Sequence, residues 1–507
     1  MKAQKIMILK VKNILIAALL LVGFGCDEFL DVNVDEDKPS ASTPNYLLNP
    51  VTGLMAINCY EQGETTAYFA QQIATLSGFS AVKDRWDYRS VTRVGLFRRH
   101  FHDVASNANN LILTAKAEES ENYEGIGHTM MVLTTQTATD LFGDMPYTEA
   151  LKGNPSPPYD EQQLIYEGML AEIDEAIELL TIRDESDRSI KPEEDYLYGG
   201  DLDAWLGLAY GIKARLLLHL TPNINQNFQA VIDAVEAAQA TWVDPEYQYI
   251  ESPSPWFMNP WGPSRARPDW DYVPNILGTS APTPYLVDVV MGYDRENDSI
   301  RDPRQPLLMT PNPDHGYLVV RTSEGKDALA ENEFYPNLFG SYMTRDDSPQ
   351  YFMTEEELHF IKAEAAFQSG DKATALAAYQ AGIRRHMARV GVEQSDIDTF
   401  MAGDMVAQDA ASLELSHIMM QKWLALYLQA EAWVDMRRYQ YDPKVYVGLT
   451  RPENLASFWS DDDDTEWIQR LAYDNQTEEI YNKPELERLG AYQNPDWLKV
   501  PLWWTGQ

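Results

Sequence analysis

Tryptophan and tyrosine gather beside arginine in three segments of this sequence. Sugar rings stack their C–H faces on aromatic side chains, and sugar hydroxyls hydrogen-bond with polar groups such as arginine. The pattern therefore predicts a surface that binds carbohydrate. The residues are Trp86, Tyr88 and Arg89 in the first segment; Trp256, Trp261, Arg265, Arg267, Trp270 and Tyr272 in the second; and Phe339, Tyr342 and Arg345 in the third.

Eight of these residues are our predicted ligand contacts. They are Trp86, Tyr88, Arg89, Trp256, Trp261, Trp270, Tyr272 and Tyr342. An aromatic ring in a loop can equally be a core residue that the loop covers. Both interpretations stay open for each residue, because the sequence does not show which side of a loop faces solvent.

Known catalytic and cofactor-binding motifs are missing from the sequence. It contains no Gly-x-Ser-x-Gly elbow, no P-loop, no dinucleotide fingerprint and no His-Glu-x-x-His motif. Carboxylates are too numerous for any pair to stand out as a glycosidase dyad, whose mark is spatial separation. The missing motifs favour a protein that is not an enzyme and carries no cofactor, but they do not decide the point by themselves.

Two short patterns resemble metal sites only superficially. His100 and His102 flank Phe101, so on a helix their side chains diverge, and we expect surface histidines. The stretch DVNVDEDKP, residues 31–39, alternates oxygen ligands but lacks the glycine and the glutamate that an EF-hand loop needs. We therefore expect a solvated linker there and no metal site.

The N-terminal segment has the layout of an export signal. Lysines precede an apolar run from Ile14 to Val22, which is shorter than the roughly 20 residues of a membrane span. Gly23 begins a stretch of small residues, and Cys26 follows it. This arrangement resembles a bacterial lipoprotein signal, which predicts that Cys26 becomes lipidated. Gly23 stands where such signals usually have leucine, so a plain signal peptide stays the alternative.

Composition narrows the class of partner. The 507 residues include 40 Lys plus Arg and 78 Asp plus Glu, which gives a net charge of −38. Such a surface repels phosphate backbones, so nucleic acid is not expected as a partner. If Cys26 is lipidated, Cys59 is the only thiol left, and no internal disulfide can form.

Helical periodicity dominates the rest of the chain. The segment from Thr354 to Val392 predicts a helical hairpin, with a capping box at Thr354, a helix end at Gly370 and a second cap at Asp371. Small residues around Gly382 resemble the closely packed second helix of a tetratricopeptide hairpin. Further helices are predicted over 161–180, 201–220, 228–240 and 416–438, whereas 241–350 and 443–507 lack a regular period.

Four stretches together resemble the SusD/RagB family of outer-membrane lipoproteins of Bacteroidetes. They are CDEFLDVNVDEDKP, TDLFGDMPYTEAL, TEEELHFIKAEA and QKWLALYLQAEAWVDMRRYQY, and the terminal VPLWW is similar to that family's ending as well. Each motif alone is weak, but all occur in the family's order and span nearly the whole chain after Cys26.

The resemblance implies a mainly α-helical fold, built on tetratricopeptide-like hairpins with long irregular loops and small β elements on one side. Its domains would be a signal peptide over 1–25, a lipidated tether over 26–44 and one binding domain over 45–507. Ligand-binding loops of the family correspond to the clusters around Trp86 and Trp256–Tyr272. TDLFGDMPYTEAL is expected to be structural.

The implied function is capture of oligosaccharide at the cell surface and delivery to a SusC-type TonB-dependent transporter in the outer membrane. A RagB-like peptide-binding role is the alternative, and a secreted helical glycosidase is a third. Acidic residues after Cys26, namely Asp27, Glu28 and Asp31, resemble the signal that sends such lipoproteins to the cell surface.

Overall fold

Helical hairpins build the scaffold of this protein, as the sequence periodicity predicts. The computed structural model describes residues 43–76, 81–91, 95–183, 189–252, 257–264, 276–327, 329–460 and 463–506. Residues 44–507 form one compact unit. The longer helices are α1 (Pro44–Phe69), α2 (Ser106–Ala117), α3 (Glu121–Phe142), α4 (Gln162–Thr181), α5 (Leu202–His219), α6 (Phe228–Gln239), α7 (Glu355–Ser369), α8 (Lys372–Val390), α9 (Gln394–Met401), α10 (Leu415–Ala425) and α11 (Glu431–Arg438).

Shorter helical turns and small strands complete the described chain. The α-helical turns are Ala81–Asp84, Tyr88–Val91, Leu96–Arg99, Gln305–Leu308, Glu478–Tyr481 and Lys483–Leu489, the 3-10 turns are Pro192–Glu194, Ile276–Thr279, Asn332–Phe334, Pro495–Lys499 and Trp503–Thr505, and the π-helical turns are His100–Ala105 and Tyr285–Val290. The strands β1 (Ile73–Thr75) and β3 (Ser280–Pro282) pair antiparallel, as do β2 (Glu246–Tyr247) and β4 (Gln350–Tyr351). The predicted mainly α fold with small β elements is confirmed.

The hairpin of α7 and α8 forms as predicted, but the capping box at Thr354 is only half made, because the Glu357 side chain pairs with the buried Arg215 at 2.7 Å. The Thr354 hydroxyl accepts a hydrogen bond from the backbone of Glu357 at 3.3 Å, and Gly370 ends α7 in the left-handed region with φ 90°. Asp371 then caps α8. At Gly382 a Cβ atom would lie 2.9 Å from the Phe360 ring, so only glycine permits this close approach of the two helices.

The predicted helix over 416–438 is wrong in one respect, because it divides into α10 and α11. Leu428, between them, has φ 60°. Gln72, from the turn after α1, donates to the carbonyls of Trp423 and Leu426 at 3.3 and 3.2 Å and accepts from the Leu428 amide at 2.8 Å. A side chain distant in sequence therefore takes up backbone groups that would otherwise continue the helix.

Buried ion pairs lie where α5, α7, α10 and α11 meet. Lys422 lies 2.8 Å from Asp435, and Arg438 lies 2.6 Å from Glu364. Burial raises the pKa of Glu364, but Arg438 and Lys422 outweigh it and lower the pKa to about 2. These charges come from the stretches TEEELHFIKAEA and QKWLALYLQAEAWVDMRRYQY, so here the motif residues hold the scaffold together.

A second buried network centres on His219 at the end of α5. Its Nε2 atom lies 2.6 Å from Glu431 Oε1, and its Nδ1 atom lies 3.2 Å from Asp140 Oδ2. The hydroxyl of Tyr166 donates to Asp140, and the indole of Trp504 donates to the same carboxylate at 2.9 Å. TDLFGDMPYTEAL, which contains Asp140, thus contributes to the core, and VPLWW contributes through Trp504.

No helix among the described residues is long and apolar enough to cross a bilayer. The predicted signal segment, the lipidation site Cys26 and the tether before residue 43 lie outside the described residues.

Candidate ligand-binding cleft

Three of the predicted ligand contacts lie in the core of the protein. Trp86 is fully buried and packs edge-on against Trp459, with ring centroids 5.2 Å apart. Trp261 is 1% exposed and meets Tyr60 edge-on at 4.8 Å, and Tyr342 is 8% exposed. In this conformation these rings have no face open to a ligand, which corrects the expectation that they lie on the surface.

Tyr88 and Arg89 are the predicted contacts that reach the surface within the described chain. Tyr88 is half-buried, and burial, with Glu479 nearby, raises the pKa of its hydroxyl to about 12. The Arg89 side chain is 77% exposed and makes two hydrogen bonds with the Asp87 carboxylate, at 3.0 and 2.7 Å. Arg89 therefore presents its guanidinium at the surface as part of an ion pair.

The remaining residues of the second aromatic cluster lie outside the described residues. They are Trp256, Arg265, Arg267, Trp270 and Tyr272.

The two histidines of the helical region, His100 and His102, diverge as expected, but only one of the two is at the surface. His102 is largely exposed, whereas His100 is buried and within 3.0 Å of the Thr134 hydroxyl. Burial lowers the pKa of His100 to about 3.

A cleft of about 660 Å³ opens beside Phe339, in the irregular part of the chain. We call it the Phe339 cleft. Its lining residues are Leu76, Leu277, Gly278, Ser280, Lys326, Glu331, Asn332, Glu333, Tyr335, Pro336, Asn337, Leu338 and Phe339. A volume of this size is typical of a small-molecule site.

Hydrogen bonds within and between loops fix the wall of the Phe339 cleft. Asn337 and Thr310 exchange two backbone hydrogen bonds, both 2.8 Å long. The Asn337 side chain accepts from the amide of Phe339 at 2.9 Å, which sets the direction of the chain at the aromatic ring. Asn312 donates to the carbonyl of Glu333 at 2.6 Å. The wall is thus held in place by hydrogen bonds among the loops and the short 3-10 turn Asn332–Phe334, without one of the longer helices.

The floor of the cleft comes from the small sheet of β1 and β3. Ser280, the first residue of β3, shares a 3.0 Å hydrogen bond with the Tyr68 hydroxyl of α1. Leu76 directly follows β1, and its amide donates to Thr279 at 2.8 Å. The sheet therefore ties the cleft to the first helix of the scaffold.

The lining combines one open aromatic side chain with several polar groups. Phe339 is half-buried, while Asn332, Glu331 and Glu333 are exposed, and Lys326 contributes a cation. Such a set can stack on an apolar face and exchange hydrogen bonds with hydroxyl or amide groups. Two carboxylates against one ammonium make the cleft a poor site for a polyanion.

A second cleft of about 500 Å³ has one lining residue in common with the first, the largely buried Tyr335. Burial raises the pKa of the Tyr335 hydroxyl. Arg321, Glu324 and Asp327 supply charged groups on the far side.

None of the eight predicted contacts is among the described residues that line the Phe339 cleft. Phe339 belongs to the third aromatic cluster, but Asn332, Tyr335 and Asn337 were not singled out. Their local sequence, ENEFYPN, combines aromatic residues with amides and with proline, which is a detectable signal of a binding loop. The backbone pairing of Asn337 with Thr310, which holds this segment in place, has no such signal in the local sequence.

The fold defines a class of helical-hairpin protein that carries its irregular loops on a rigid scaffold. The SusD-like family model, whose description is starch-binding and associating with the outer membrane, matches residues 36–473. This protein belongs to the SusD-like family. No curated protein matches the sequence.

Solved structures share the fold over nearly their whole length. A chitin-binding SusD homolog from Flavobacterium johnsoniae is 20% identical with a TM-score of 0.70, covering 91% of this chain and 98% of its own. A SusD/RagB family protein from Bacteroides thetaiotaomicron is 20% identical with a TM-score of 0.68, covering 92% and 99%. A SusD homolog from Bacteroides fragilis is 18% identical with a TM-score of 0.66, covering 92% and 100%.

Proposed function

We propose that this protein captures neutral oligosaccharides at the cell surface and passes them to a SusC-type TonB-dependent transporter. The observation that carries the proposal is the Phe339 cleft, which combines an open aromatic ring with amides and carboxylates. The description of the family as starch-binding and the chitin-binding function of one structural relative support the ligand class.

Ligand contacts are proposed in two groups. Phe339 and Asn332 line the cleft with side chains that reach solvent, whereas Tyr335 is 7% exposed and belongs to its wall. Trp270 and Tyr272 stay predicted contacts because they shortly precede Leu277, a lining residue, in the sequence. Trp256, Tyr88 and Arg89 stay predicted contacts from their sequence pattern.

Binding without turnover distinguishes this role from that of a glycosidase. Isothermal titration with chitin and starch oligosaccharides should give saturable binding, and chromatography of the mixture should show no shorter products. Release of shorter sugars would overturn the assignment as a binding protein. Binding of peptides from a parallel library, with no binding of any glycan, would favour the RagB-like alternative.

Anchoring and delivery need a cellular test. We expect Cys26→Ala to leave the protein unprocessed or soluble, because the thiol is the proposed lipid attachment point. Replacing Asp27, Glu28 and Asp31 together should keep the protein lipidated but facing the periplasm. Labelling of intact cells with a membrane-impermeant reagent reads out the second variant, and unchanged labelling would contradict surface export by these acids.

Co-purification from detergent-solubilised outer membranes tests the transporter partner. A TonB-dependent transporter should elute with the tagged full-length protein, while a preparation of Cys26→Ala should recover less of it. Recovery of the protein without any transporter, under conditions that keep other outer-membrane complexes intact, would argue against delivery to a SusC-type partner.

A further inference from the structure

Helices α3 and α4 bring nitrogen and oxygen ligands together at a place that does not line the Phe339 cleft. Glu124 and His128 lie one turn apart on α3, and Glu175 lies on the neighbouring α4. One potential ligand atom from each of the three residues lies within 4.8 Å of the other two. Residues four apart on one helix face the same way, so the pair on α3 converges on α4.

A hydrogen bond fixes the orientation of the His128 ring. Its Nδ1 atom lies 2.8 Å from Glu172 Oε1. A carboxylate only accepts, so Nδ1 donates this hydrogen bond, and Nε2 is the ring nitrogen that can offer its lone pair to a metal. This is the arrangement of a metal-binding histidine, in which an outer carboxylate holds the ring and raises the basicity of the ligand nitrogen.

The Nε2 atom of His128 is buried and has no hydrogen-bond partner among the described residues. It lies 3.9 Å from Glu124 Oε1. The Glu124 side chain is itself 10% exposed, so a lone pair and a carboxylate face each other in a largely desolvated place. A cation between them satisfies both groups, whereas without one the nitrogen is left unsatisfied.

We propose that Glu124, His128 and Glu175 bind one divalent cation of the zinc class, which joins α3 to α4. Ligand distances of about 2.1 Å place tetrahedral ligand atoms roughly 3.4 Å apart. The side chain of Glu175 is exposed on α4 and can rotate to close the remaining gap. A water molecule would complete the four ligands.

Histidine decides the selectivity of this site. Imidazole nitrogen suits zinc, nickel and copper, while calcium and magnesium prefer oxygen ligands throughout. Lys116, whose Nζ atom lies 3.4 Å from Glu124 Oε1, is the cation that now neutralises this carboxylate. Its side chain is 68% exposed, so it can leave for solvent when the metal binds.

Titration of chelator-treated, untagged protein with zinc chloride tests the site. We expect saturable binding of one zinc per protein and a higher melting temperature, with no comparable effect of calcium or magnesium. Glu175→Gln should weaken zinc binding at least about tenfold. Glu178→Gln, an exposed neighbour on the same helix that is not in the cluster, should bind zinc as the original protein does.

Two further variants make the result decisive. His128→Gln should abolish the binding, and Lys116→Met should strengthen it, because a competing ammonium is removed. If His128→Gln does not fold, the exposed position Glu175 still carries the test. The absence of saturable zinc binding, equal affinity in Glu175→Gln and Glu178→Gln, or weaker binding in Lys116→Met would overturn the proposal. None of these measurements involves a nutrient ligand.

Discussion

The indole of Trp504 donates a 2.9 Å hydrogen bond to the carboxylate of Asp140, joining the C-terminal segment to the last turns of α3. Both residues are almost fully buried. Tyr166 and Gln136 also donate to this carboxylate, and His219 lies beside it. The carboxylate of Asp140 therefore joins residues from several separate parts of the chain.

Trp504→Phe tests this link. The change keeps a six-membered aromatic ring but removes the indole N–H and leaves a small cavity, so we expect a loss of at least about 1–3 kcal/mol in the free energy of unfolding. Trp503→Phe is the matched control, because Trp503 is half-buried and next in sequence. Chemical denaturation of both variants measures the difference. Equal losses in the two variants would contradict a specific role for the Trp504 indole.

His219 predicts a loss of stability at alkaline pH. Burial disfavours its charged form, but Glu431 and Asp140 outweigh burial and raise the pKa of His219 from 6.5 to about 9. A raised folded-state pKa stabilises the fold fully below pH 6.5, and the contribution disappears as pH rises through about 9. The shift corresponds to about 3 kcal/mol.

Urea denaturation at several pH values between 6 and 10 measures this contribution. The original protein should lose stability across that window, and His219→Gln should lose less between the same limits because it has no imidazole to titrate. Parallel curves for the two proteins would show that His219 is not charged in the fold. The absolute stability of the variant is expected to be lower at neutral pH, since Glu431 loses its closest charged partner.

Local patterns predicted the helices well because the information for them is local. The caps at Thr354 and Asp371 directly precede the helices that they begin. The apolar residues that indicate each helix repeat within that helix. The break between α10 and α11 could not be predicted in the same way. It depends on Gln72, whose hydrogen bonds to Trp423 and Leu428 join residues far apart in sequence.

The same limit applies to the aromatic residues. The sequence shows that Trp86 sits in a polar, irregular segment, but its burial depends on Trp459 and Trp467, which approach it from near the other end of the chain. Phe339 was found in a cluster by composition alone. The cleft beside Phe339 could not be predicted, because its wall depends on the pairing of Asn337 with Thr310 across an irregular loop.

Asp84 predicts a second loss of stability with rising pH, in a lower pH range than that of His219. Burial raises the pKa of its carboxyl to about 7, although the amides of Ser323 and Thr75 donate to it and lower the pKa. Because the folded form holds the proton more tightly than the unfolded chain, stability decreases as pH rises from about 4 to about 7. The ionised carboxylate then stays buried and weakly compensated.

Asp84→Asn removes this titration while keeping an oxygen that can accept from Ser323 at the same place. We therefore expect the variant to lose less stability than the original protein between pH 4 and pH 7, as measured by the denaturation midpoint. Asp87→Asn, on the neighbouring turn, is the control, because Arg89 lowers the pKa of Asp87 and its stabilising charge is lost at low pH instead. Identical pH profiles for Asp84→Asn and the original protein would rule out a buried titrating carboxyl.

Phe339 is the residue on which the ligand-binding proposal depends most. Its half-buried ring lines the cleft, so Phe339→Ala removes the stacking surface while the backbone bonds of Asn337 can remain. We expect oligosaccharide affinity to fall about tenfold, which corresponds to roughly 1.4 kcal/mol. Asn332→Ala, which removes one exposed amide from the same lining, should weaken binding less.

Tyr196→Ala is the matched control, since Tyr196 is 69% exposed and lies outside both clefts. Isothermal titration with the oligosaccharide that binds the original protein measures all three, and melting temperatures confirm that each variant is folded. If Phe339→Ala and Tyr196→Ala bind with equal affinity, the ligand occupies another surface, and the predicted contacts Trp256, Trp270 and Tyr272 become the next residues to replace.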